Sequence, residues 1–161
     1  MRSDLVIRPV DDSDRDFIRG FIAERWGSEM VIVHETIYYP AELPGFICEL
    51  SGKLSGLITY RIDKSACEIV SLDSLVEGRG IGTALIEWVA ETASEAQCDT
   101  LWLVTTNDNL RALGFYQKHG FHLVMVVPDA VTRSRQRKPE IPRIGENGIP
   151  ITDEIVLTRM I

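Results

Sequence analysis

A glycine cluster, Glu77-Gly78-Arg79-Gly80-Ile81-Gly82-Thr83, lies between an apolar β-type run and an amphipathic helical pattern, and it constrains the chain more than any other segment. Glycine lacks a Cβ, so Gly78, Gly80 and Gly82 allow a sharp turn and let a ligand approach the backbone. The free N–H groups and positive end of the following helix favour an anion such as pyrophosphate, to which Arg79 adds a direct charge. Phosphate-loop and dinucleotide-binding folds use the same physics. The first is excluded because no Gly-Lys-Ser or Gly-Lys-Thr occurs: Gly52-Lys53 is followed by Leu54. The second places its third glycine where Thr83 stands and its ribose-binding acid at the far end of the next strand, whereas Asp99 lies before that strand. A purely structural turn stays open at this point.

Periodicity on either side of the cluster gives the fold class. Residues 5–10 form a β-type run, and Asp11-Asp12-Ser13-Asp14 caps a helix in which Phe17, Ile18, Phe21, Ile22 and Arg25-Trp26 recur until Gly27. Residues 28–44 stay unassigned. Segments 46–50 and 54–62 form a hairpin about Ser51-Gly52-Lys53, and 66–75 follows the turn Asp63-Lys64-Ser65, giving an antiparallel meander. Beyond the cluster, Ile81, Ala84, Leu85, Trp88, Val89, Ala93 and Ala96 mark a helix. A strand at 101–105 follows, so 66–105 is a strand, helix, strand unit with parallel strands and a right-handed crossover. A helix at 110–119, capped by Asn107 or Asn109 and closed by Gly120, precedes strands at 121–127 and 154–161. The expected fold is α/β, of the α+β mixed-sheet kind. It has about six or seven mostly antiparallel strands, one central parallel pair and about four flanking helices.

The length of 161 residues suits one domain spanning 1–161. Seventeen Lys and Arg against 24 Asp and Glu give a formal charge of −7, which argues against nucleic acid or anionic membrane as partner and favours cationic ones. Cys48, Cys67 and Cys98 are odd in number, far apart and set in apolar sequence, so they are expected as reduced core residues without zinc spacing. Met1-Arg2-Ser3-Asp4 lacks a signal core, and no apolar run approaches the roughly 20 residues of a membrane span, so a cytoplasmic location is expected. Trp26, Trp88 and Trp102 are assigned to the core, and His119 and His122 to structural places beside Gly120. The segment 129–150 is a basic insert with Arg133, Arg135, Arg137 and Lys138. It reads either as a solvated helix or loop, or as a binder of acidic substrate or cofactor phosphate. The last strand, 154–161, could pair across a homodimer.

A second motif, Asn109-Leu110-Arg111-Ala112-Leu113-Gly114-Phe115-Tyr116-Gln117-Lys118-His119-Gly120-Phe121, follows the glycine cluster in order. The pair resembles the GNAT superfamily of N-acetyltransferases. In that family a coenzyme A motif of Gln or Arg, any, any, Gly, any, Gly or Ala precedes Asn-x-x-Ala-x-x-x-Tyr-x-x-x-Gly-Phe. This chain matches the second at Asn109, Ala112, Tyr116, Gly120 and Phe121. The resemblance covers about residues 66–127. One position departs: Glu77 stands where Gln or Arg is usual. Its carboxylate would repel a pyrophosphate unless it points to solvent or reaches a cation such as Arg79.

The resemblance implies an acetyl-CoA-dependent N-acetyltransferase in which a primary amine, of a small molecule or a protein, attacks directly in a ternary complex. No metal and no covalent acyl-enzyme are implied. The alternative is a non-catalytic sensor or scaffold that holds acetyl- or acyl-CoA. By the same likeness the strands at 66–75 and 101–105 splay to admit the pantetheine arm, and the Leu72 N–H faces the thioester carbonyl. Gly78, Arg79, Gly80, Ile81, Gly82 and Thr83 would hold the pyrophosphate and Asn109 the pantetheine. Tyr116 would supply a proton to the leaving thiolate, or else serve packing. Glu68 is the first candidate base, because strict alternation puts Glu68, Val70 and Leu72 on one apolar face, a setting that raises a carboxyl pKa. The alternative is a strand-end Glu in water, and Asp73 is the lesser candidate on the opposite face. The acceptor pocket falls to residues 26–45 and 129–150, with His34, Glu35, Tyr38 and Tyr39 as lining.

Overall fold

The computed structural model, which describes residues 4–161, has nine strands and four α-helices. The strands are Leu5–Pro9 (β1), Val31–Val33 (β2), Thr36–Tyr38 (β3), Gly45–Leu50 (β4), Lys53–Asp63 (β5), Ala66–Ser74 (β6), Thr100–Thr106 (β7), His122–Val127 (β8) and Glu154–Met160 (β9). The helices are Arg15–Trp26 (α1), Ile81–Glu95 (α2), Leu110–Lys118 (α3) and Ala130–Arg137 (α4). Seven strands form one sheet in the order β1-β4-β5-β6-β7-β9-β8, and β2 and β3 form a separate hairpin. Every neighbouring pair in the large sheet is antiparallel except β6 and β7. The mixed architecture therefore matches the expectation, and it excludes the doubly wound parallel sheet of dinucleotide enzymes.

Each face of the sheet carries a core. Ile81, Leu85, Ile86 and Val89 of α2 bury against Ile58, Leu101 and Leu157 on one face. Ile18 and Ile22 of α1 bury against Ile47 and Leu57 on the other. Gly27, at φ +85°, ends α1 in the left-handed conformation that glycine adopts at no steric cost. Cys48, Cys67 and Cys98 are buried and unpaired, as their apolar settings imply.

A bulge in β6 sets the position of everything near the site. Tyr60 of β5 faces Ile69 while Thr59 faces Ser71, which leaves Val70 as the extra residue. A 2.6 Å hydrogen bond between the Thr59 and Ser71 hydroxyls sits at this step. The bulge breaks strict alternation. Leu72 now packs with the α2 core, whereas Asp73, opposite Leu57, turns to the face that carries Val70. The expected grouping of Glu68, Val70 and Leu72 on one face, with Asp73 opposite, is corrected by that single inserted residue.

Three further expectations change. Trp26 and Trp88 are 43% and 42% exposed, so neither is a core residue: each lies at a helix edge where only part of the indole finds a neighbour. Strand β9 lies between β7 and β8, so its backbone is already paired on both sides and cannot extend the sheet across a dimer. The unassigned stretch holds the β2–β3 hairpin, which turns through His34 and Glu35 at positive φ. The basic insert is fastened to the body rather than solvated. Arg135 donates to the carbonyls of Ile141, Pro142 and Ile151, Arg133 pairs with Glu35 at 2.7 Å, and Lys138 donates to the carbonyl of Met30.

Candidate active site

The parallel strands are held together over a short stretch, Ala66, Cys67 and Glu68 facing Thr100, Leu101 and Trp102. Past that point they part. A groove of about 600 Å³ opens there, lined by Leu72, Asp73, Gly78, Gly80, Asn109 and Tyr116 among others. It runs to the start of α2, whose N-cap Gly80 supplies no side-chain capping bond. The first backbone N–H groups of α2 therefore face the groove as donors for an anion.

The glycines have separate reasons. Gly78 and Gly80 sit at φ +74° and +71° with no heavy atom within 4 Å of a built Cβ, so the turn needs their conformation and the space beside them is open. Gly82 differs: a Cβ there would meet the Phe115 ring at 3.2 Å, so it allows α2 to approach α3 rather than a ligand to approach α2. Thr83 is oriented by His119, whose Nε2 lies 2.8 Å from the Thr83 hydroxyl while Nδ1 donates to the carbonyl of Phe115. This is the structural place expected for His119. Arg79 is exposed and does not line the groove. Glu77 pairs with Arg111 rather than with Arg79, so a cation on α3 offsets the acid at the departing position.

Tyr116 is 9% exposed and closes the inner wall of the groove, its ring edge-on to Phe115 and Phe121. Burial, and then the negative charge of Asp73, push its phenol above its ordinary range and keep it protonated. Asn109 caps α3, its side-chain oxygen accepting from the Ala112 N–H at 3.2 Å. Asp73 is 5% exposed, and burial raises its carboxyl against the opposing pull of Arg25, whose Nε lies 3.0 Å away.

Glu68 is 2% exposed and lines neither this groove nor the cavity behind it. Its Oε2 lies 2.8 Å from Nε2 of His34, and its Oε1 accepts from the Tyr38 hydroxyl at 2.7 Å. The bond to Glu68 chiefly raises the pKa of His34, against burial, while burial and then Glu68 push the Tyr38 phenol up to about 12. The strand-end Glu in water is thereby excluded. His34 passes the connection on, since its backbone N–H donates to Oε2 of Glu154 at 3.1 Å.

Behind the splay lies a second cavity of about 390 Å³, walled by the apolar residues Val31, Val33, Val70 and Val104. It shares Arg25, Trp26 and Asn109 with the groove, so the two spaces meet at the parted strands. Its polar lining includes Glu154 from the last strand and Ser134, Lys138 and Glu140 from the basic insert, with Thr105, Thr106 and Asn109; Arg25, the other cation there, is paired with Asp73. Residues 26–45 and 129–150 contribute to this wall through the end of α1, β2, α4 and the turn after it, whereas none of the expected lining residues His34, Glu35, Tyr38 and Tyr39 does: Tyr38 and His34 turn to Glu68, and Tyr39 is exposed. Periodicity read Arg25 and Trp26 as helix interior and Glu154 as a strand start. The available signal was in α4, where Val131, Ser134 and Lys138 recur at i, i+3 and i+7 within an otherwise charged segment.

Comparison with known proteins agrees with this geometry. The sequence model of the acetyltransferase (GNAT) family matches residues 10–121. The uncharacterized protein YdhI of Bacillus subtilis (strain 168) is 44% identical over 158 residues, covering 98% of this chain and 99% of its own. The structure is similar to the IAA acetyltransferase from Bacillus cereus ATCC 14579, with a TM-score of 0.72, 19% identity, and coverage of 98% of this chain and 99% of that one. It is also similar to a GNAT family acetyltransferase from Elizabethkingia anophelis with acetyl-CoA bound, with a TM-score of 0.69, 19% identity, and coverage of 99% and 100%. At such identities the structural likeness is one of fold.

Proposed function

The chain belongs to the GNAT acetyltransferase family, and from that premise we propose that it is an N-acetyltransferase carrying the acetyl group of acetyl-CoA to a primary amine. One observation carries the reading: a phosphate-compatible groove and a separate cavity meet where β6 and β7 part. Two ligands can thus approach one point from opposite faces of the sheet, which is what direct transfer in a ternary complex requires.

In this reading the uncapped start of α2, at Gly80, Ile81, Gly82 and Thr83, receives the pyrophosphate, and Asn109 and the open side of Gly78 border the extended arm. Arg79, exposed beside the groove, adds positive charge from the surface. The backbone N–H of Leu72, just past the bulge, is assigned the acetyl carbonyl oxygen, where negative charge develops during attack.

An alkylammonium has a pKa near 10, so the amine must first lose a proton. Glu154 lines the acceptor cavity, and burial raises its carboxyl above the ordinary range, toward the values useful in a base. We assign it that role. Glu68 becomes a positioning residue that holds His34, and through it Glu154. The freed amine forms its C–N bond to the carbonyl carbon as the C–S bond breaks, and Tyr116 supplies a proton to the departing thiolate. The nitrogen gives up two protons in all, one before attack and one after it. The thiolate takes up one, so one is released.

The test is amine-dependent release of the coenzyme A thiol from acetyl-CoA across a panel of primary amines. Release that requires the amine is expected. Heat of acetyl-CoA binding with no release from any amine would instead support a sensor or scaffold.

A further inference from the structure

The acceptor cavity carries opposite charges at its two ends, and nothing in the chemistry above uses both. At one end Glu154, 4% exposed, receives the His34 backbone N–H. At the other, Lys138 is 3% exposed, with the carbonyl of Met30 at 2.8 Å as the one hydrogen-bond partner of its ammonium among the described residues. An ammonium has three donors, so two of them remain for a ligand. Ser134, one helical turn earlier on the same face of α4, is also 3% exposed, and its hydroxyl is the one buried side-chain polar atom among the described residues without a hydrogen-bond partner. A buried hydroxyl left without a partner is costly, and here it faces a cavity beside a buried cation. Burial lowers the pKa of Lys138, so an anion beside it is what would hold it charged; Glu140, which also lines the cavity, opposes that lowering but is exposed and makes no ion pair with it.

Two rulers give the separation of the ends. The Val131 N–H bonds to the Thr152 carbonyl, two residues from Glu154, and Lys138, the C-cap of α4, lies seven residues further on, about 10 Å at the rise of a helix. On either side of β2, Met30 touches Lys138 and His34 touches Glu154, four residues apart or about 13 Å at the rise of a strand. Between these backbone anchors, subtracting two polar contacts of about 2.8 Å leaves about 4 to 7 Å for the ligand. The wall between is valine-rich.

We infer that the acceptor is a small amine joined through an apolar spacer to a carboxylate, an ω-amino acid, with its ammonium at Glu154 and its carboxylate between Ser134 and Lys138. The amine is placed at the Glu154 end because Lys138 would repel it at the other. The inference rests on the acetyl-transfer reading for its chemistry but not for its binding geometry.

The experiment measures both binding, by calorimetry with coenzyme A present, and thiol release, with acetyl-CoA. The ligands are 5-aminopentanoate and the neutral 5-aminopentanamide. The carboxylate is expected to be preferred about tenfold or more in both readouts, the range of a charge-assisted contact. In Lys138→Met the ratio should fall toward one. Ser134→Ala, which removes only an unpaired hydroxyl and so spares the fold, should lower it several-fold. Equal use of acid and amide, or an undiminished preference in both variants, overturns the inference and leaves acetyl transfer standing. Binding of the acid that depends on Lys138, with no thiol release from any amine, supports the site and overturns the transfer reading instead.

Discussion

Tyr116 and Glu68 show two ways in which a residue can be read from sequence. The place of Tyr116 in an ordered motif identified it, and the structure sets it against the groove with its phenol held protonated. Tyr116→Phe is expected to lower kcat by about two orders of magnitude while the melting temperature moves little, because the ring contacts persist. Stopped activity with an equally lowered melting temperature would assign Tyr116 to packing. The apolar setting of Glu68 was legible, but its partners His34 and Tyr38 lie in a hairpin too short for a periodic signal, so its hydrogen bonds were not. His34 has a raised pKa through its bond to Glu68, so its imidazolium contributes stability that is full below the ordinary 6.5 and fades as pH climbs through the raised value. The stability lost in Glu68→Gln should therefore be greater at pH 6 than at pH 9 by thermal unfolding. A gap that widens with pH contradicts the pairing.

Among the elements, the long periodic ones were legible and the site's fine placement was not. Helix α2, the meander and the crossover follow from hydrophobic spacing, since each must bury one stripe or face. The bulge at Val70 left no mark, because Val70 suits either side of a sheet, and one extra residue exchanged the faces of Leu72 and Asp73. Strands β2 and β3, three residues each, fall below the length at which alternation is informative. The glycine turn was legible as a motif, though its third glycine serves helix packing. Gly80→Ala forces a Cβ into the left-handed region and is expected to cost about 1 kcal/mol in urea unfolding, with weaker acetyl-CoA binding by calorimetry. Unchanged stability would mean that the turn can relax to negative φ.

For the molecule as a whole, the fold class and one of the two ligand spaces could be foreseen, whereas the second space is assembled from α1, β2, β6, β7, α4 and β9, and its one local signal is the spacing of Val131, Ser134 and Lys138. Burial also protects the chain's thiols: Cys67 is pushed up to about 12 by burial, and Cys48 and Cys98 are raised by the same cause. None of the three should react with a thiol reagent in the native state, and all should react in urea; fast native labelling would contradict the packing of both strands and α2's end. The central claim is that two substrates meet at the parted strands before any bond changes. Initial rates of thiol release, measured over a grid of acetyl-CoA and amine concentrations, test it most directly. Intersecting double-reciprocal lines are expected from a ternary complex, and parallel lines, the mark of an acyl-enzyme, would contradict it.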